Sequence, residues 1–547
     1  MVGTMTWEKP GPGTWELDSS HGGPAPCTMT QELLAPSFRN GFGEGMADFG
    51  SPLKTLEMVF LRGKMYRRLV PLVGGGRDLP PPPAPVLKLV TRLHPAFRRA
   101  ERRARESFET KRWLAELRRW EEEWKPSITK QNLVFSDVDV AALGDADLAD
   151  HLASVHAHVA ETTTLHFRLH VSDMGPLGNL MVHLEDWGLH RDDTFRALVA
   201  ASPATRTPSE RLREVADELR AAGVDPATVG SLDEVRAASP ACAARLDEFL
   251  RFHGWRLTTG YELEDRCLIE LPDVILRSVR AAASRPARTA SVDDAATEAL
   301  TRLRNEVPAE HRATFDELVA DARASYGLRD ENGPLTYEWP AGLLRRGLLE
   351  AGRRLGLGDS VFELSIAEVL AMLRGGAGPG GGEIARRAAE RRAWAAITDA
   401  PARLGPEEAP PPLDVMPEHL ARMTRIVLTV VETLEAAKGR ESLTGTGIGS
   451  GSYVGTARVV HDAAEALALV EPGDVIVAPY TAPTYNAVLA MAGALVTEQG
   501  GLLCHAAVIA RELGLPAVIG AADAMSRIPD GARVEVDPAA GCVTVLA

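Results

Sequence analysis

Lysine is scarce in this sequence, and none occurs after Lys438. Only eight of the 60 Lys and Arg residues are lysines. A phosphate-binding loop of the Walker type needs a glycine-rich turn that ends in Lys followed by Ser or Thr. The glycine-rich stretches at 74–78 and 375–383 contain no lysine, so their composition predicts flexible linkers. The sequence therefore has no recognisable nucleotide-binding loop of this type.

Cysteines and long apolar runs are also few. The five cysteines form no CxxC pair, which argues against both a zinc ribbon and a disulfide framework. No run approaches the ~20 apolar residues of a membrane span, and the first twenty residues lack the apolar segment of a secretory signal. We therefore expect a cytoplasmic protein that does not cross a membrane.

The net charge of −15 argues against nucleic acids and anionic membranes as partners, because both select clustered positive charge. Aromatic residues make up only 5% of the chain, so a core of Ala, Leu and Val is expected.

Hydrophobic periodicity divides the chain into two regions. Residues 1–440 are predicted to be mainly α-helical, in one domain that could form two lobes, with linkers near 73–85 and 375–413. Within this region, residues 1–72 are predicted to begin irregularly and continue as short helices. Residues 443–547 alternate short β-type runs with helical pieces, which is typical of a compact α/β domain.

The chemically informative stretch lies at 496–520, in the second region. A strand is predicted to end at Thr497 and Glu498, a tight loop follows at Gly500 and Gly501, and His505 opens a helix. The positive end of the helix dipole and the unpaired N–H groups favour a neutral imidazole and would bind a phosphoryl group. From spacing alone, a helix-capping or core histidine is favoured over a phosphoryl carrier.

This stretch resembles the swivelling phosphohistidine domain of phosphoenolpyruvate synthase, pyruvate phosphate dikinase and rifampicin phosphotransferase. The resemblance covers 443–547 and implies that His505 is phosphorylated. Arg511 would contact the phosphoryl group or form a structural salt bridge, and Cys504 stands where the family usually has a hydroxyl residue. The residues that the resemblance assigns to phosphate binding or support are Thr497, Glu498, Gly500, Gly501, Cys504 and Arg511.

A weaker resemblance to the acceptor domain of rifampicin phosphotransferase-like enzymes extends over parts of 11–68 and 245–276. Trp255 occupies the usual position of a histidine, which suggests either altered acceptor chemistry or a different substrate. Carboxylates beside aromatic residues could supply a general base there, although ordinary surface loops would look the same. The candidate acceptor-site residues are His21, His183, Glu185, Arg256, Tyr261 and Glu262.

Five histidines between 151 and 170 lie on one predicted helix, and His166 and His170 have i,i+4 spacing. Such a pair can clamp a metal ion. No HExxH motif or third ligand accompanies it, so we predict no metal site there. The alternatives are ordinary helix histidines or the lining of an acceptor pocket.

The resemblance includes neither the ATP-grasp domain that loads the histidine nor a phosphoenolpyruvate-binding barrel. It therefore implies a phosphotransferase whose ATP and Mg²⁺ come from a separate ATP-grasp subunit and whose acceptor is an apolar or natural-product-like hydroxyl compound. One alternative is a dehydratase or cyclase of natural-product biosynthesis that reuses the same scaffold. Another is a non-catalytic ligand-binding protein.

Overall fold

A computed structural model describes most of the 547 residues. The described ranges are 7–18, 25–76, 82–189, 203–258, 261–284, 291–397, 399–407, 412–435, 443–449, 451–481, 485–501 and 504–546. His21, one of the candidate acceptor residues, lies outside them.

Helices predominate up to residue 435. In chain order the α-helices are α1 (Thr28–Phe49), α2 (Ala84–Leu93), α3 (Pro95–Glu109), α4 (Arg112–Arg119), α5 (Lys125–Ser136), α6 (Asp145–Asp186), α7 (Pro203–Ala221), α8 (Leu232–Ala238), α9 (Pro240–Phe249), α10 (Pro272–Ser284), α11 (Ser291–Glu306), α12 (Arg312–Gly333), α13 (Trp339–Arg354), α14 (Ile366–Leu373), α15 (Gly381–Ala395), α16 (Glu418–Glu435), α17 (Ala463–Leu469), α18 (Asn486–Leu489), α19 (His505–Leu513) and α20 (Ala524–Arg527). π-Helical turns occupy Trp120–Trp124, Leu250–Gly254 and Pro334–Glu338. Short 3-10 helices occupy Leu268–Glu270, Ala309–His311, Gly358–Glu363 and Leu413–Val415. None of the helices in the described ranges is long and apolar enough to cross a membrane.

The strands found in the described ranges form two sheets. They are β1 (Trp15–Leu17), β2 (Leu53–Leu61), β3 (Lys64–Pro71), β4 (Arg403–Leu404), β5 (Thr446–Ile448), β6 (Tyr453–Val459), β7 (Val475–Ala478), β8 (Ala494–Thr497), β9 (Ala517–Ile519), β10 (Arg533–Asp537) and β11 (Cys542–Val545).

The chain folds into two compact units. The first comprises Met1–Gly175, Tyr261–Glu264 and Leu335–Val427, and the second comprises Pro176–Gly260, Asp265–Pro334 and Leu428–Ala547. The second unit therefore groups the C-terminal α/β region with helices from the middle of the chain. The four residues Tyr261–Glu264 belong to the first unit although their chain neighbours belong to the second.

The first unit contains a small antiparallel sheet in the order β2-β3-β1-β4. The expectation of an irregular start followed by short helices over 1–72 was wrong, because this segment forms the 22-residue helix α1 and the long β2–β3 hairpin. The hairpin turns at Arg62 and Gly63, whose φ angles are 48° and 72°. Two successive left-handed residues make the tight turn that matches the twist of paired strands.

The second unit contains a seven-stranded sheet in the order β11-β10-β6-β7-β8-β9-β5. The central strands β6, β7, β8 and β9 are parallel, and antiparallel strands flank them on both sides. Successive side chains of each central strand point to opposite faces of the sheet. Ile476 and Leu495 belong to the apolar cluster on one face, and Val477 and Val496 belong to the cluster on the other. The fold class expected from the sequence, a mainly helical region followed by an α/β domain, is confirmed.

Helices of the 176–334 region pack against this α/β domain within the second unit. Val274 and Ala281 of α10 join one of its core clusters, and Val508 of α19 packs with Leu180 and Phe315. The helix that begins with His505 is therefore supported by apolar contacts along its length.

Candidate functional site

His505 is the first residue of α19, which follows β8 across a short loop. Gly514 ends the helix in the left-handed conformation, with φ of 65°. Its N–H donates hydrogen bonds to the carbonyls of Ala510 and Arg511 in the last turn. Ala506 and Ala507 are buried, so the first turn is slim and close to the core. The local structure matches the strand, loop and helix predicted from the sequence.

Both ring nitrogens of His505 form hydrogen bonds. Nδ1 lies 2.9 Å from the Thr481 hydroxyl, and Nε2 lies 2.9 Å from Oδ1 of Asn486. Thr481 is almost completely buried, whereas the imidazole is partly exposed. The ring is therefore held in one orientation at the domain surface.

The sequence did not single out Thr481 and Asn486 as site residues. Thr481 follows β7, and Asn486 begins α18 directly after the same loop. Since β7 and β8 are parallel neighbours, the loops that follow them emerge at the same edge of the sheet. The polar residues directly after β7 were therefore a sequence signal for the site. Considered together with the histidine after β8, they could have predicted the partners of His505.

A helix N-terminus is a natural anion site, because its first N–H groups are unpaired and the helix dipole is positive there. Cys504 is the N-terminal cap of α19, but its side chain forms no capping hydrogen bond. A phosphoryl group on the His505 ring would lie near these N–H groups. The backbone can thus supply part of the anion binding that the family obtains from a hydroxyl residue.

Hydrogen bonds and a glycine conformation fix the loop before His505. The Thr497 hydroxyl donates to the Gln499 carbonyl at 2.8 Å, and Oε1 of Glu498 accepts the Met525 N–H at 2.8 Å. Gly500 has φ of 115°, and a Cβ there would lie 2.6 Å from Sγ of Cys504. Only glycine fits this conformation and this space. The buried Gly501 accepts the Cys504 N–H through its carbonyl, at 3.1 Å.

Arg511 is buried on α19. It lies six positions after His505, which places it about 9 Å along the helix axis and roughly 120° around it. Its guanidinium and the imidazole therefore leave the helix on different faces. A role of Arg511 in binding the phosphoryl group stays a prediction.

The candidate acceptor residues divide between the two units. In the second unit, Nδ1 of His183 donates to the Asn179 carbonyl at 2.8 Å, and Nε of Arg256 donates to the Phe252 carbonyl at 3.1 Å. Glu185 is partly buried on the same helix as His183. These two hydrogen bonds each join residues four positions apart in the sequence.

Tyr261 and Glu262 lie in the first unit. Glu262 accepts the Cys27 N–H and the Thr30 hydroxyl, both at 3.0 Å, at the N-terminus of α1. Burial raises the pKa of the Glu262 carboxyl, and burial together with Glu262 raises the pKa of the Cys27 thiol. Glu262 therefore acts as a helix cap in this structure. The Tyr261 hydroxyl lies 2.7 Å from Nε2 of His166, a pairing that the sequence did not predict.

No group of three or more His, Cys, Asp or Glu side chains within the described ranges is arranged to hold a metal ion. His166 and His170 have ring centroids 4.6 Å apart, but their hydrogen-bond partners are Tyr261 and Asp173. The i,i+4 pair is thus engaged in hydrogen bonds with protein groups.

The parallel sheet and the helix-initial histidine define a histidine-bearing α/β domain, and comparison with known families agrees. Residues 470–541 match the family described as PEP-utilising enzyme, mobile domain. Residues 169–330 match the rifampicin phosphotransferase fourth domain. The resemblance to phosphoenolpyruvate synthase and rifampicin phosphotransferase expected from the sequence is confirmed by these matches.

Individual relatives agree with this assignment. Phosphoenolpyruvate synthase of Escherichia coli (strain K12) is 44% identical over 105 residues, which are 19% of this chain and 13% of that protein. Rifampicin phosphotransferase of Streptomyces sviceus is 40% identical over 127 residues, which are 22% of this chain and 14% of that protein.

A third relative aligns with much more of the chain. Chondramide synthase of Chondromyces crocatus is 28% identical over 432 residues, which are 73% of this chain but 11% of that protein. The chain thus spans less than one sixth of the length of each of these three relatives.

Proposed function

We propose that this chain is the acceptor-binding and phosphohistidine part of a phosphotransferase. His505 accepts a phosphoryl group and transfers it to a hydroxyl of an apolar or natural-product-like small molecule bound by the helical region. The observation that carries this proposal is the His505 imidazole, held by Thr481 and Asn486 at the N-terminus of α19 in a segment that matches a PEP-utilising mobile domain.

The physical chemistry of the site supports this role. Phosphoryl transfer depends mainly on positioning and on stabilising negative charge. The two hydrogen bonds orient the imidazole, and the helix N-terminus favours an attached anion by about 0.3–1 kcal/mol. ATP and Mg²⁺ would act in a separate ATP-grasp subunit, which phosphorylates His505.

The acceptor class is inferred from the relatives and from the helical region. One relative is named for phosphorylating rifampicin, and another for synthesising chondramide. The buried core of the helical region consists mainly of Leu, Val and Ala with some Phe, Trp and Tyr rings, which suits an apolar ligand with a few polar groups.

Chemical phosphorylation tests the carrier role without a partner protein. Phosphoramidate phosphorylates histidine side chains, and we expect it to load His505 faster than the other histidines, with one acid-labile, alkali-stable phosphoryl group located on His505 by peptide mapping. His505→Ala should abolish this addition, whereas His461→Ala, at an exposed site in the same domain, should retain it. Equal labelling of the His505→Ala variant would contradict the proposal.

A second measurement tests the proposed partner. Labelled ATP should phosphorylate the chain only when an ATP-grasp protein is added. The similarity to chondramide synthase favours one other candidate, a dehydratase or cyclase of natural-product biosynthesis. Product formation without any nucleotide, unchanged in the His505→Ala variant, would favour that candidate.

A further inference from the structure

A second group of acid–base side chains lies in the first unit, on α6. Nδ1 of His170 is 3.1 Å from Oδ2 of Asp173, one turn further along the helix. The Asp173 side chain is 1% exposed, whereas that of His170 is 21% exposed. Because an ionised carboxylate only accepts hydrogen bonds, Nδ1 of the neutral imidazole carries the proton. The lone pair of Nε2 is then available to accept a proton.

The other carboxylate oxygen of Asp173 has an unusual environment. Oδ1 is buried and forms no hydrogen bond within the described part of the chain. Leaving such an oxygen unpaired costs on the order of 1–3 kcal/mol, so it is an exception among buried polar groups that calls for a specific explanation. A buried negative charge at this position would stabilise the imidazolium that forms when His170 takes up a proton.

A second histidine orders the neighbouring polar groups. His166 lies one turn before His170 on the same face of α6, and its ring is buried. Its Nε2 is 2.7 Å from the Tyr261 hydroxyl, and its Nδ1 is 3.4 Å from the Thr336 hydroxyl. The Tyr261 carbonyl accepts the Tyr337 hydroxyl at 2.6 Å, which fixes the loop that carries Tyr261.

Aromatic rings surround this polar group. The Phe42 ring stacks on His170 at 6.2 Å with an interplanar angle of 24°. Phe42 also contacts Phe38 at 4.8 Å and Phe167 at 5.8 Å, and Tyr261 stacks on Phe167 at 6.2 Å. Phe42, Tyr261 and His170 are all partly exposed. Flat apolar surfaces beside a basic nitrogen suit a ligand that combines an aromatic ring with a hydroxyl.

We propose that His170 is the general base for a phenolic ligand bound against Phe42 and Tyr261, with Asp173 as the positioning residue. The proposal rests on the proposed phosphotransferase function. The hydroxyl proton passes to Nε2 of His170, and the hydroxyl oxygen bonds to phosphorus. The P–N bond of phosphorylated His505 breaks, and its electron pair returns to the imidazole. A phenol, with a pKa near 10, suits a histidine base better than an alkyl alcohol does.

The first experiment tests the site without phosphorylation. In the full chain labelled with ¹⁵N-histidine, we expect the NMR signals of His170 to be those of the tautomer protonated at Nδ1. Asp173→Asn should reduce the population of this tautomer. Phenol should shift these signals at lower concentration than cyclohexanol, and Phe42→Ala should weaken phenol binding about tenfold. A ring protonated at Nε2, or no response to phenol, would overturn the proposed site.

The second experiment tests catalysis. Chain phosphorylated with phosphoramidate is mixed with phenol, and the formation of phenyl phosphate is followed. His170→Gln should slow transfer by ~10²-fold or more, the usual contribution of a general base, with unchanged phenol affinity and unchanged His505 loading. His156→Gln, on the same helix outside the cluster, should transfer at the normal rate. Asp173→Asn should slow transfer and change its pH profile.

These outcomes separate the two proposals. If His505 is not loaded, the phosphotransferase function fails, while the tautomer and the phenol titration still test the site. If His505 is loaded but phenol is not phosphorylated, or His170→Gln transfers at the normal rate, the general-base proposal is wrong. Circular dichroism and normal loading of the His170→Gln variant would exclude misfolding.

Discussion

The two hydrogen bonds of the His505 ring define the site at the scale of single residues. Phosphorylation of either nitrogen must displace one of these bonds, from Thr481 at Nδ1 or from Asn486 at Nε2. The remaining bond would then hold the ring during transfer. The structure thus shows a conformation in which the His505 ring is oriented and both of its nitrogens are engaged in hydrogen bonds.

Replacing Thr481 by Val should change the rate at which His505 is phosphorylated by phosphoramidate. The substitution keeps the side-chain shape but removes a hydrogen bond worth about 0.5–1.5 kcal/mol, so we expect a ~2- to 10-fold slower rate if Nε2 is the nucleophile. If Nδ1 is the nucleophile, the rate should stay equal or rise. Two-dimensional NMR of the phosphorylated ring identifies the nitrogen independently.

Thr456→Val on β6 provides the matched control, since its hydroxyl forms no hydrogen bond with the described residues. A slower rate for Thr481→Val combined with phosphorylation at Nδ1 would contradict this account of the ring.

At the scale of elements, Arg277 connects α10 to the α/β domain within the second unit. Its guanidinium donates to the carbonyls of Leu467 and Val470 at the C-terminal end of α17, the latter at 2.9 Å. The last carbonyls of a helix lack partners within the helix and carry partial negative charge. A single cation therefore caps α17 and attaches it to a helix from another part of the chain.

Arg277→Met should loosen this attachment, because methionine keeps much of the apolar stem but has no donors. Hydrogen bonds from charged groups contribute about 1.5–3 kcal/mol, so the amides near the end of α17 should exchange with deuterium at least tenfold faster. Arg280→Met is the matched control, as Arg280 donates to the Val229 carbonyl instead. Unchanged exchange near Val470 in the Arg277→Met variant would show that the cap is unimportant.

At the scale of the whole molecule, several histidines are kept neutral by folding. Burial lowers the pKa of His158 to about 4, and burial also lowers the pKa values of His151, His156 and His253. His158 is hydrogen-bonded through Nε2 to Oδ1 of the buried Asn132, at 2.9 Å. An unfolded chain would bind protons at these positions at higher pH than the folded protein does.

The free energy of unfolding should therefore fall as the pH drops from 6.5 towards 4. In that range the unfolded state binds more protons than the folded state, so stability is fully present above pH 6.5 and is lost towards the folded pKa. His158→Gln should reduce the slope, by at most about 1.4 kcal/mol per pH unit, the value for one proton. Urea unfolding at several pH values measures this.

His461→Gln, at an exposed position, should leave the slope unchanged. An equal slope in His158→Gln and the unmodified chain would mean that His158 does not contribute to the pH dependence.

The site was partly predictable because some of its features are local. A strand, a glycine loop and a histidine opening a helix are set by neighbours within about ten residues, and this pattern identified His505. Glu262 was predicted as an acceptor-site residue, yet it caps α1 through Cys27 and Thr30, more than 230 positions away. Such a pairing leaves no signal in the local sequence.

The sequence by itself determined the helical region, the α/β domain and the position of His505 at the start of a helix, because periodicity, capping and turn residues act over short distances. Only the tertiary structure decided which groups hold the His505 ring, since that depends on the register of parallel strands β7 and β8. It also decided that His166 meets Tyr261 and that Asp173 keeps a buried, unpaired oxygen. Those contacts follow from the packing of helices and loops remote in the chain, which no short pattern specifies.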